Sequence, residues 1–409
     1  MSIRFMLAVV AGVAVVIPAA PAPAGAHPLP ARGGSLVLVG GGLSDDNAAV
    51  YDDIVRLAGG SGRARIGIVT AASPVPSEDP DAGTPDCNNS VCNGDYYVAL
   101  LRRYGAEAEW IPIDRDHPGA AEDPAVVAQI RQLTGFFFGG GDQYRYVTTM
   151  QRPGGADSAA LAAIRARLRS GAVVAGTSAG AQIQAGADML TGGESYEGLR
   201  DGSAPGYFDD ATRLGYLPHG GFGFFRAGLL DTHFSTRGRL GRSVRLAVDT
   251  GHDRVFGLDQ DTALEVTGVG GGHESLRVIG RAAIHVLDLR RATVPGGAHP
   301  WAVRGVRWTR LVDGDRYDAA RWRAVPAGSR SRGTTTGCPA PVTDVFGAHV
   351  LAGLALDLAG RAGCRVASGQ TAEQEPAFAV ELRRDRWFTA YRAGDAVTYT
   401  GLRVDIHGV

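Results

Sequence analysis

Hydrophobic runs and amphipathic stretches alternate along the first half of the chain. Short apolar runs that end in glycine or polar residues predict buried strands, and longer stretches with apolar residues every three or four positions predict helices. The predicted strands lie at 35–42, 63–73, 107–114, 135–143 and 172–176, and the predicted helices at 95–105, 123–133 and 157–171. This alternation favours an α/β fold, a mostly parallel sheet with helices on both faces.

The pattern changes near the proline- and glycine-rich segment 294–300. Beyond it, a helix-like segment at 348–360 precedes two strand-like segments, AFAVELRRD and AVTYTGLRVDI. We therefore expect a main domain over 27–298 and a β-rich C-terminal extension over 299–409. The segment 74–94, rich in Pro, Asp, Asn and Cys, predicts a surface insertion.

The N-terminus resembles a secretory signal peptide. Arg4 supplies a positive charge, residues 5–17 form an apolar stretch too short to span a bilayer, and residues 24–26 read Ala-Gly-Ala, a small-residue cleavage site. We expect residues 1–26 to be removed, leaving a mature protein that begins at His27. The expected location is secreted, periplasmic or extracellular, without a membrane anchor, and a retained anchor is the alternative.

The cysteines and the overall charge narrow the class further. Four cysteines fit an exported protein, and their spacing favours pairing Cys87 with Cys92 and Cys338 with Cys364. A zinc site is the alternative, but no Cys-x-x-Cys pattern or nearby histidine pair completes the ligand set. The formal net charge of −1 provides no overall field for nucleic acid, so we expect no such partner.

A serine stands between small residues where the predicted strand 172–176 ends, in the sequence Gly-Thr-Ser-Ala-Gly. This G-x-S-x-G pattern between a strand and a helix is typical of a nucleophile on a strained turn. The N–H of Ala179, at the start of the following helix, could then stabilise an oxyanion. The alternative is an ordinary tight turn with Ser178 as a helix cap. The run VGGG at 39–42 lacks a full phosphate-binding pattern and predicts only a turn.

The segment DTHFSTRGRLGR at 231–242 offers partners for Ser178. A serine hydroxyl needs a base, and the base needs an acidic group to orient it. His233 is the candidate base, and Glu197 the candidate orienting group, with Glu194 as its alternative. Three arginines of the segment either form a solvated helix face or clamp substrate carboxylates: Arg237, Arg239 and Arg242.

Four blocks in this order resemble the cyanophycinases and their relatives, a peptidase family that includes the aspartyl dipeptidases. The blocks are GGGDQ (139–143), GTSAGA (176–181), DTHFSTRGRLGR (231–242) and GLDQDTAL (257–264). The resemblance spans about residues 35–290 and implies a fold like that of the class I glutamine amidotransferases. It implies that Ser178 is the nucleophile, His233 the base and a glutamate near 194–197 the third member.

The resemblance also implies where substrate binds. The glycine loop would supply an oxyanion-hole N–H from Gly141 or Asp142, beside that of Ala179. The matched substrate-contacting positions are Gln143, Asp231, Thr232, Arg237, Arg239 and Arg242. Two positions depart from the family pattern, since Thr232 stands where Gln is usual and Gln260 where Glu is usual. Asp259 and Asp261, on either side of Gln260, are expected to support a turn.

Three functions are open at this point. The first is a secreted serine peptidase that hydrolyses cyanophycin, a poly-aspartate chain with arginine on each β-carboxyl, to β-Asp-Arg dipeptides through an acyl-enzyme. The second is a serine exopeptidase for short aspartyl or isoaspartyl peptides, and the third is a catalytically silent secreted binding protein. The expected partner is a peptide or polymer rich in Asp and Arg, the family suggests a homodimer, and the mechanism requires no metal or cofactor.

Overall fold

The structure, a computed structural model, describes residues 33–208, 210, 212–271, 274–297 and 299–409. The predicted signal peptide lies outside the described residues. The helices are α1 (Ala48–Leu57), α2 (Ser90–Arg103), α3 (Pro124–Arg131), α4 (Gln143–Met150), α5 (Ala159–Arg169), α6 (Ala179–Gln182), α7 (Ser195–Asp201), α8 (Leu240–Thr250) and α9 (Val350–Gly360).

The strands up to residue 288 are β1 (Gly34–Val39), β2 (Arg65–Val69), β3 (Glu107–Trp110), β4 (Gly135–Phe138), β5 (Val173–Thr177), β6 (Met189–Leu190), β7 (Ser203–Pro205), β8 (Leu214–Leu217), β9 (Leu229–Asp231), β10 (Arg254–Leu258), β11 (Thr262–Val269), β12 (Ser275–Gly280) and β13 (Ile284–Asp288). The later strands are β14 (Val303–Leu311), β15 (Arg316–Asp318), β16 (Arg323–Val325), β17 (Ser329–Ser331), β18 (Val366–Gln370), β19 (Phe378–Arg383), β20 (Thr389–Ala393) and β21 (Ala396–Gly408).

The first sheet contains the strands predicted from the first half of the sequence. Its order is β16-β15-β12-β11-β1-β5-β4-β2-β3. The block β1-β5-β4-β2-β3 is parallel, and β11, β12, β15 and β16 extend it in antiparallel fashion. The α/β prediction is therefore confirmed, with a parallel centre and an antiparallel extension on one side.

Strand β1 shows how helices come to cover both faces of this sheet. Successive side chains of a strand point to opposite faces. Leu36 and Leu38 pack in a core that includes residues of α3 and α5, whereas Val37 and Val39 pack in a core that includes residues of α1 and α2. All four side chains are fully buried, and each such burial contributes about 1.5–3 kcal/mol to folding.

Local signals account for where the helices begin. Ser158 caps α5, because its hydroxyl accepts a hydrogen bond from the N–H of Leu161 at 3.2 Å. Helix α2 begins at Ser90, earlier than the predicted 95, because the Asn89 side chain caps it by accepting from the N–H groups of Val91 and Cys92. The end of the predicted insertion 74–94 is therefore helical.

The second sheet connects the main region to the C-terminal extension. Its order is β17-β20-β21-β14-β13-β10-β9, with β19 paired to β21 and β18 to β19. Strand β14, beyond residue 298, is the antiparallel neighbour of β13, so the two predicted domains share this sheet. Their separation into domains stays a prediction. In the sheet, β9 and β10 are parallel neighbours, and both lead into the candidate site.

Two observations on the described residues bear on the predicted export. Disulfides join Cys87 to Cys92 and Cys338 to Cys364, which confirms the favoured pairing and leaves no cysteine for a zinc site. Disulfides of this kind fit an extracellular or periplasmic protein. In the part of the chain that the structure describes, no helix combines the length and the apolar character that a membrane crossing requires.

Candidate active site

Ser178 lies on a sharp turn between β5 and α6. Its backbone has φ 54° and ψ −116°, a conformation that residues with a side chain rarely adopt. A Cβ at Gly176 would lie 2.2 Å from the carbonyl oxygen of Gly180, and a Cβ at Gly180 would lie 2.0 Å from that of Phe138. The glycines on either side of the serine are therefore a steric requirement of this strained turn.

Ser178 and His233 meet although 55 positions separate them in the sequence. The Oγ of Ser178 lies 2.7 Å from Nε2 of His233. Ser178 follows β5 of the first sheet, whereas His233 follows β9 of the second and also has a positive φ of 50°. At this distance the hydroxyl proton can pass to the imidazole, which is what activates a serine nucleophile.

The backbone after β1 holds this arrangement. Three consecutive carbonyls, those of Val39, Gly40 and Gly41, accept hydrogen bonds at 3.0, 2.7 and 2.9 Å from the N–H groups of Ser178, His233 and Asp261 respectively. A side chain at Gly41 is excluded, because its Cβ would lie 2.2 Å from Cε1 of His233. In the sequence, the run VGGG at 39–42 by itself indicates only a turn. Its role in positioning Ser178 and His233 becomes visible only in the structure.

The partner of the other ring nitrogen of His233 is Gln260. Its Nε2 lies 2.8 Å from Nδ1 of His233. Gln260 follows β10, the parallel neighbour of β9, so two adjacent strand ends bring the amide and the ring together. This contact corrects the prediction that a glutamate orients His233. Glu197 lies in α7, which packs against α8 outside the pocket lining, and the exposed Glu194 lines the pocket without bonding to the ring.

Asp259 and Asp261 hold the loop that carries Gln260. Asp259 accepts from the N–H of Ser235 at 2.8 Å and lies 2.9 Å from Nε2 of His285. Asp261 accepts from the N–H and the hydroxyl of Ser44, at 2.9 and 3.0 Å. Both carboxylates therefore support the turn, as predicted, and they fix the amide between them.

An amide beside His233 leaves the position of the ring proton open. Gln260 can present either its NH2 group or its oxygen to Nδ1. With the NH2 group toward the ring, as in the structure, Nδ1 accepts and the ring proton is on Nε2, which then cannot take the proton of Ser178. With the oxygen toward the ring, Nδ1 donates and Nε2 is free to act as a base. A carboxylate only accepts, so it would always select the second state.

Burial lowers the pKa of His233 to about 4, and the positive charges of Arg237 and Arg239 act in the same direction. Loss of water and nearby cations both disfavour the imidazolium form. The ring is therefore neutral throughout the near-neutral pH range, which is the form that a general base needs.

The low pKa of His233 predicts an acid-tolerant pH profile. Since a base works only when it is neutral, kcat/KM should stay level as the pH falls through 6.5, the ordinary histidine value, and should decline only near pH 4. The Arg237→Gln variant, which lacks one of the nearby cations, should show its acid limb at higher pH. Both kcat/KM profiles can be measured between pH 3.5 and 8. An acid limb at pH 6.5 in the profile of the native protein would contradict the prediction.

The two N–H groups predicted for an oxyanion hole are both near Ser178. Gly141 and Ala179 line the same pocket, and among the described residues neither N–H donates to a backbone carbonyl. The alternative donor, Asp142, is occupied, because its N–H donates to the carbonyl of Ala72 at 2.9 Å. Gly141 has φ 135°, and a Cβ there would lie 2.2 Å from that same carbonyl oxygen, so only glycine fits.

The serine and the histidine face a pocket of about 530 Å³, a volume typical of small-ligand sites. The predicted positions that line it are Gly141, Gln143, Thr232, Arg237, Arg239 and Arg242. Gln143 supports the wall, because its Nε2 donates to the carbonyls of Leu190 and Thr191, each at 3.2 Å. That wall continues into Glu194, so the pocket presents a carboxylate as well as guanidinium groups.

Five curated proteins with similar sequences are named cyanophycinase. A cyanophycinase from Nostoc sp. is 30% identical to the chain over 243 residues, which are 57% of this chain and 73% of the relative. The chain belongs to the cyanophycinase family. Another cyanophycinase, from Synechococcus elongatus, is 28% identical over 292 residues, 69% of this chain and 79% of the relative. Membership of the cyanophycinase family confirms the predicted enzyme class, a serine-type peptidase. No family model matches the chain.

Two solved structures are similar to this member of the cyanophycinase family. A peptidase from an acI-B1 actinobacterium has a TM-score of 0.47 at 19% identity and covers 70% of this chain and 97% of its own. A putative peptidase E protein from Listeria monocytogenes EGD-e has a TM-score of 0.33 at 13% identity and covers 58% of this chain and 95% of its own.

The arginines that match the cyanophycinase pattern differ in what they can offer a substrate. Arg237 is exposed and forms no ion pair with any described residue. Arg239 is 8% exposed and donates from Nη1 to the carbonyl of Thr232 at 2.7 Å and to Oδ1 of Asp231 at 3.4 Å, but its Nε has no hydrogen-bond partner in the described structure. Arg242 is buried, and its Nε donates to Asp231 at 2.9 Å. Arg237 and Arg239 are therefore the candidates for binding a carboxylate.

Asp231 lies beneath this cyanophycinase-type pocket and not in its lining. The residue is fully buried, and its Oδ2 accepts from Nε of Arg242 and from the hydroxyl of Ser243 at 2.7 Å. Its Oδ1 accepts from Nη2 of Arg242. The prediction that Asp231 binds substrate is therefore wrong, because its carboxylate is fully used to hold the arginine segment in place.

Removing the Asp231 carboxylate should destabilise the fold. The Asp231→Ala variant leaves the buried guanidinium of Arg242 without its counter-ion, and breaking a buried pair in this way costs about 3–5 kcal/mol. Urea denaturation measures the change in the free energy of unfolding. The matched control is Asp86→Ala, which removes an exposed carboxylate without an ion pair in the described structure. Equal stability of the two variants would contradict the prediction.

Proposed function

We propose that the chain is a secreted serine peptidase that hydrolyses cyanophycin to β-Asp-Arg dipeptides. The observation that carries the proposal is the 2.7 Å contact between Oγ of Ser178 and Nε2 of His233, on a strained turn inside a pocket with guanidinium groups. The cyanophycinase names of the relatives supply the substrate class.

The proposed reaction proceeds through an acyl-enzyme. Oγ of Ser178 attacks the scissile carbonyl carbon while Nε2 of His233 takes the hydroxyl proton. The N–H groups of Gly141 and Ala179 stabilise the oxyanion of the tetrahedral intermediate. When the C–N bond breaks, His233 returns the proton to the leaving amine. Water then attacks the ester, with His233 again as the base, and releases the product acid and free Ser178.

The charges of the pocket suit a substrate that carries both carboxylates and guanidinium groups. Arg237 and Arg239 would bind the free carboxylate of an arginine side-branch, because a guanidinium matches a carboxylate bidentately. The exposed Glu194, in place of the buried Asp231, would bind a substrate guanidinium. The pocket volume of about 530 Å³ is suited to one branched unit at a time.

Gln260 favours a second candidate function, a family member that binds the polymer but turns it over slowly or not at all. An amide does not stabilise the imidazolium as a carboxylate does, and it permits the inactive ring tautomer. In this case the pocket and its charges would be retained for binding.

The substrate panel decides among these functions. The native protein is incubated with cyanophycin, with β-Asp-Arg, and with aspartyl and isoaspartyl dipeptides, and mass spectrometry identifies the products. Release of β-Asp-Arg from the polymer supports the first proposal, and hydrolysis of the dipeptides alone supports an exopeptidase. Binding of cyanophycin without any product would support the binding protein.

The proposal also includes the predicted organisation of the chain. The signal peptide over 1–26 would be removed on export, residues 27–298 would form the catalytic domain, and residues 299–409 the extension. The N-terminal sequence of the protein recovered from the culture medium or periplasm tests the first point. Sedimentation at several concentrations tests the suggested homodimer.

A further inference from the structure

A second cleft is lined by strands of both large sheets. It has a volume of about 570 Å³ and is formed by residues of β13, β14, β15, β16, β17, β20 and β21 with adjoining loops. Its lining includes five arginines, Arg290, Arg291, Arg307, Arg323 and Arg330. Asp288 is the carboxylate of this lining. Positive charge is thus concentrated here in a chain whose formal net charge is −1.

The arginines of this cleft, which we call the arginine cleft, fall into two groups. Arg290 pairs with Asp288 and Arg307 with Asp385, each at 2.7 Å. The other three, Arg291, Arg323 and Arg330, are exposed and form no ion pair within the described part of the chain. Three guanidinium groups without an ion pair are therefore available to a ligand. Guanidinium groups bind carboxylates and phosphates preferentially, because their planar donors match the oxygens of these groups.

Aromatic rings complete the arginine cleft. Trp322 is held between two guanidinium groups, with the central carbon of Arg290 at 3.8 Å and that of Arg254 at 3.9 Å from the ring centre. Its φ of 55° is unusual for so large a side chain, and such strain is concentrated at functional sites. Trp387 at the cleft wall is 49% exposed, an uncommon position for tryptophan, and the central carbons of Arg291 and Arg386 each lie 5.2 Å from its ring centre.

The arginine cleft is separate from the catalytic pocket. The two share no lining residue. Asp288, in the arginine cleft, pairs in the sheet with Arg254 at the start of β10, whereas the end of β10 leads to Gln260 beside His233. A strand rises by about 3.3 Å per residue, so four steps along β10 separate the two ends by roughly 13 Å. Only a ligand several units long can occupy both places.

We propose that the arginine cleft is an auxiliary binding site for the polymer that the catalytic pocket cleaves, a proposal that rests on the proposed function. The free carboxylates of units remote from the scissile bond would bind Arg291, Arg323 and Arg330. The exposed part of the Trp387 ring would pack against the same units. The site keeps a long chain on the enzyme between cleavages and does not act on single units.

Binding without turnover tests this inference independently of catalysis. In the Ser178→Ala background, the cleft variant Arg323→Gln/Arg330→Gln and a Trp387→Ala variant are sedimented with insoluble cyanophycin. The matched control is Arg63→Gln/Arg131→Gln, which removes two exposed, unpaired arginines elsewhere on the described surface. We expect about tenfold weaker retention for each cleft variant and unchanged retention for the control.

A kinetic comparison adds the second readout. In chains with Ser178 intact, the ratio of KM for cyanophycin to KM for a two-unit fragment of cyanophycin should rise about tenfold in the cleft variants and not in the control. Equal retention of cleft and control variants would overturn the inference, as would an equal rise of both KM values. Retention of polygalacturonate but not of cyanophycin would also overturn it in favour of a carbohydrate ligand. If native protein hydrolyses nothing but cleft-dependent retention persists, the proposed function fails and the binding site stands.

Discussion

The Ser178→Ala variant should lose hydrolysis of every substrate that the native chain cleaves, with kcat reduced roughly 10²-fold or more, because the amide of Gln260 already lacks part of the rate that a complete triad supplies. The expected size follows from serine peptidases in general, where loss of the nucleophile leaves only binding and oxyanion stabilisation. The fold should be unaffected, since the change removes one oxygen that bonds only to Nε2 of His233. The measurement is product release from cyanophycin and from aspartyl dipeptides.

The control for Ser178→Ala is Ser170→Ala. Ser170 is exposed at the end of α5, where its hydroxyl donates to the carbonyl of Ala166, and its loss should leave turnover unchanged. A fluorophosphonate probe should label the native chain and Ser170→Ala but not Ser178→Ala. Turnover of Ser178→Ala at the native rate would remove Ser178 from the mechanism.

The Gln260→Glu variant should be faster than the native chain, by about 10²-fold or more in kcat. A carboxylate at this position only accepts hydrogen bonds, so it selects the tautomer with the proton on Nδ1 and stabilises the imidazolium. In serine peptidases, exchange of the carboxylate for an amide costs about 10⁴-fold, and the reverse exchange should recover part of that factor. Glutamate has nearly the size of glutamine, so the 2.8 Å contact with His233 can be kept.

Two observations separate this effect from a change in packing. Gln260→Met retains the approximate size without the hydrogen bond and should not be faster than the native chain. The negative charge in Gln260→Glu should also raise the pKa of His233 above its native value of about 4, so the acid limb of kcat/KM should move to higher pH. A folded Gln260→Glu variant with unchanged or lower kcat and an unmoved acid limb would contradict the role given to Gln260.

The part of the sequence with periodic apolar residues predicted the fold well. Strands and helices that pack in a core require apolar residues at regular spacings, and these spacings are visible in the sequence. The alternation of β1 between two cores and the spacing of Leu161, Ile164 and Leu168 in α5 are properties of local sequence. The joining of β13 to β14 across the expected boundary near 298 could not be predicted this way. Strand pairing between distant segments depends on tertiary packing, which periodicity does not record.

The candidate site was predictable only where a residue's role is tied to its local motif. The turn at Ser178 requires small neighbours, and these are visible in the sequence. The orienting partner of His233 is determined by which strand end lies beside β9, whereas Glu194 and Glu197 are indicated only by residue type and by the family resemblance. The prediction that Asp231 binds substrate is wrong for a related reason. In the sequence, a charged residue beside a catalytic histidine looks the same whether its side chain is buried or open to substrate.

The carbonyls of Val39, Gly40 and Gly41 have a consequence for how this enzyme can evolve. Because one short stretch of main chain positions Ser178, His233 and the Gln260 loop, their alignment is set by backbone hydrogen bonds, and the stretch itself must keep glycine at positions 40 and 41. Drift in surrounding residues leaves the alignment intact, and the third catalytic position can change from acid to amide without moving the other two. A one-residue insertion between positions 39 and 41 would instead put all three out of register together.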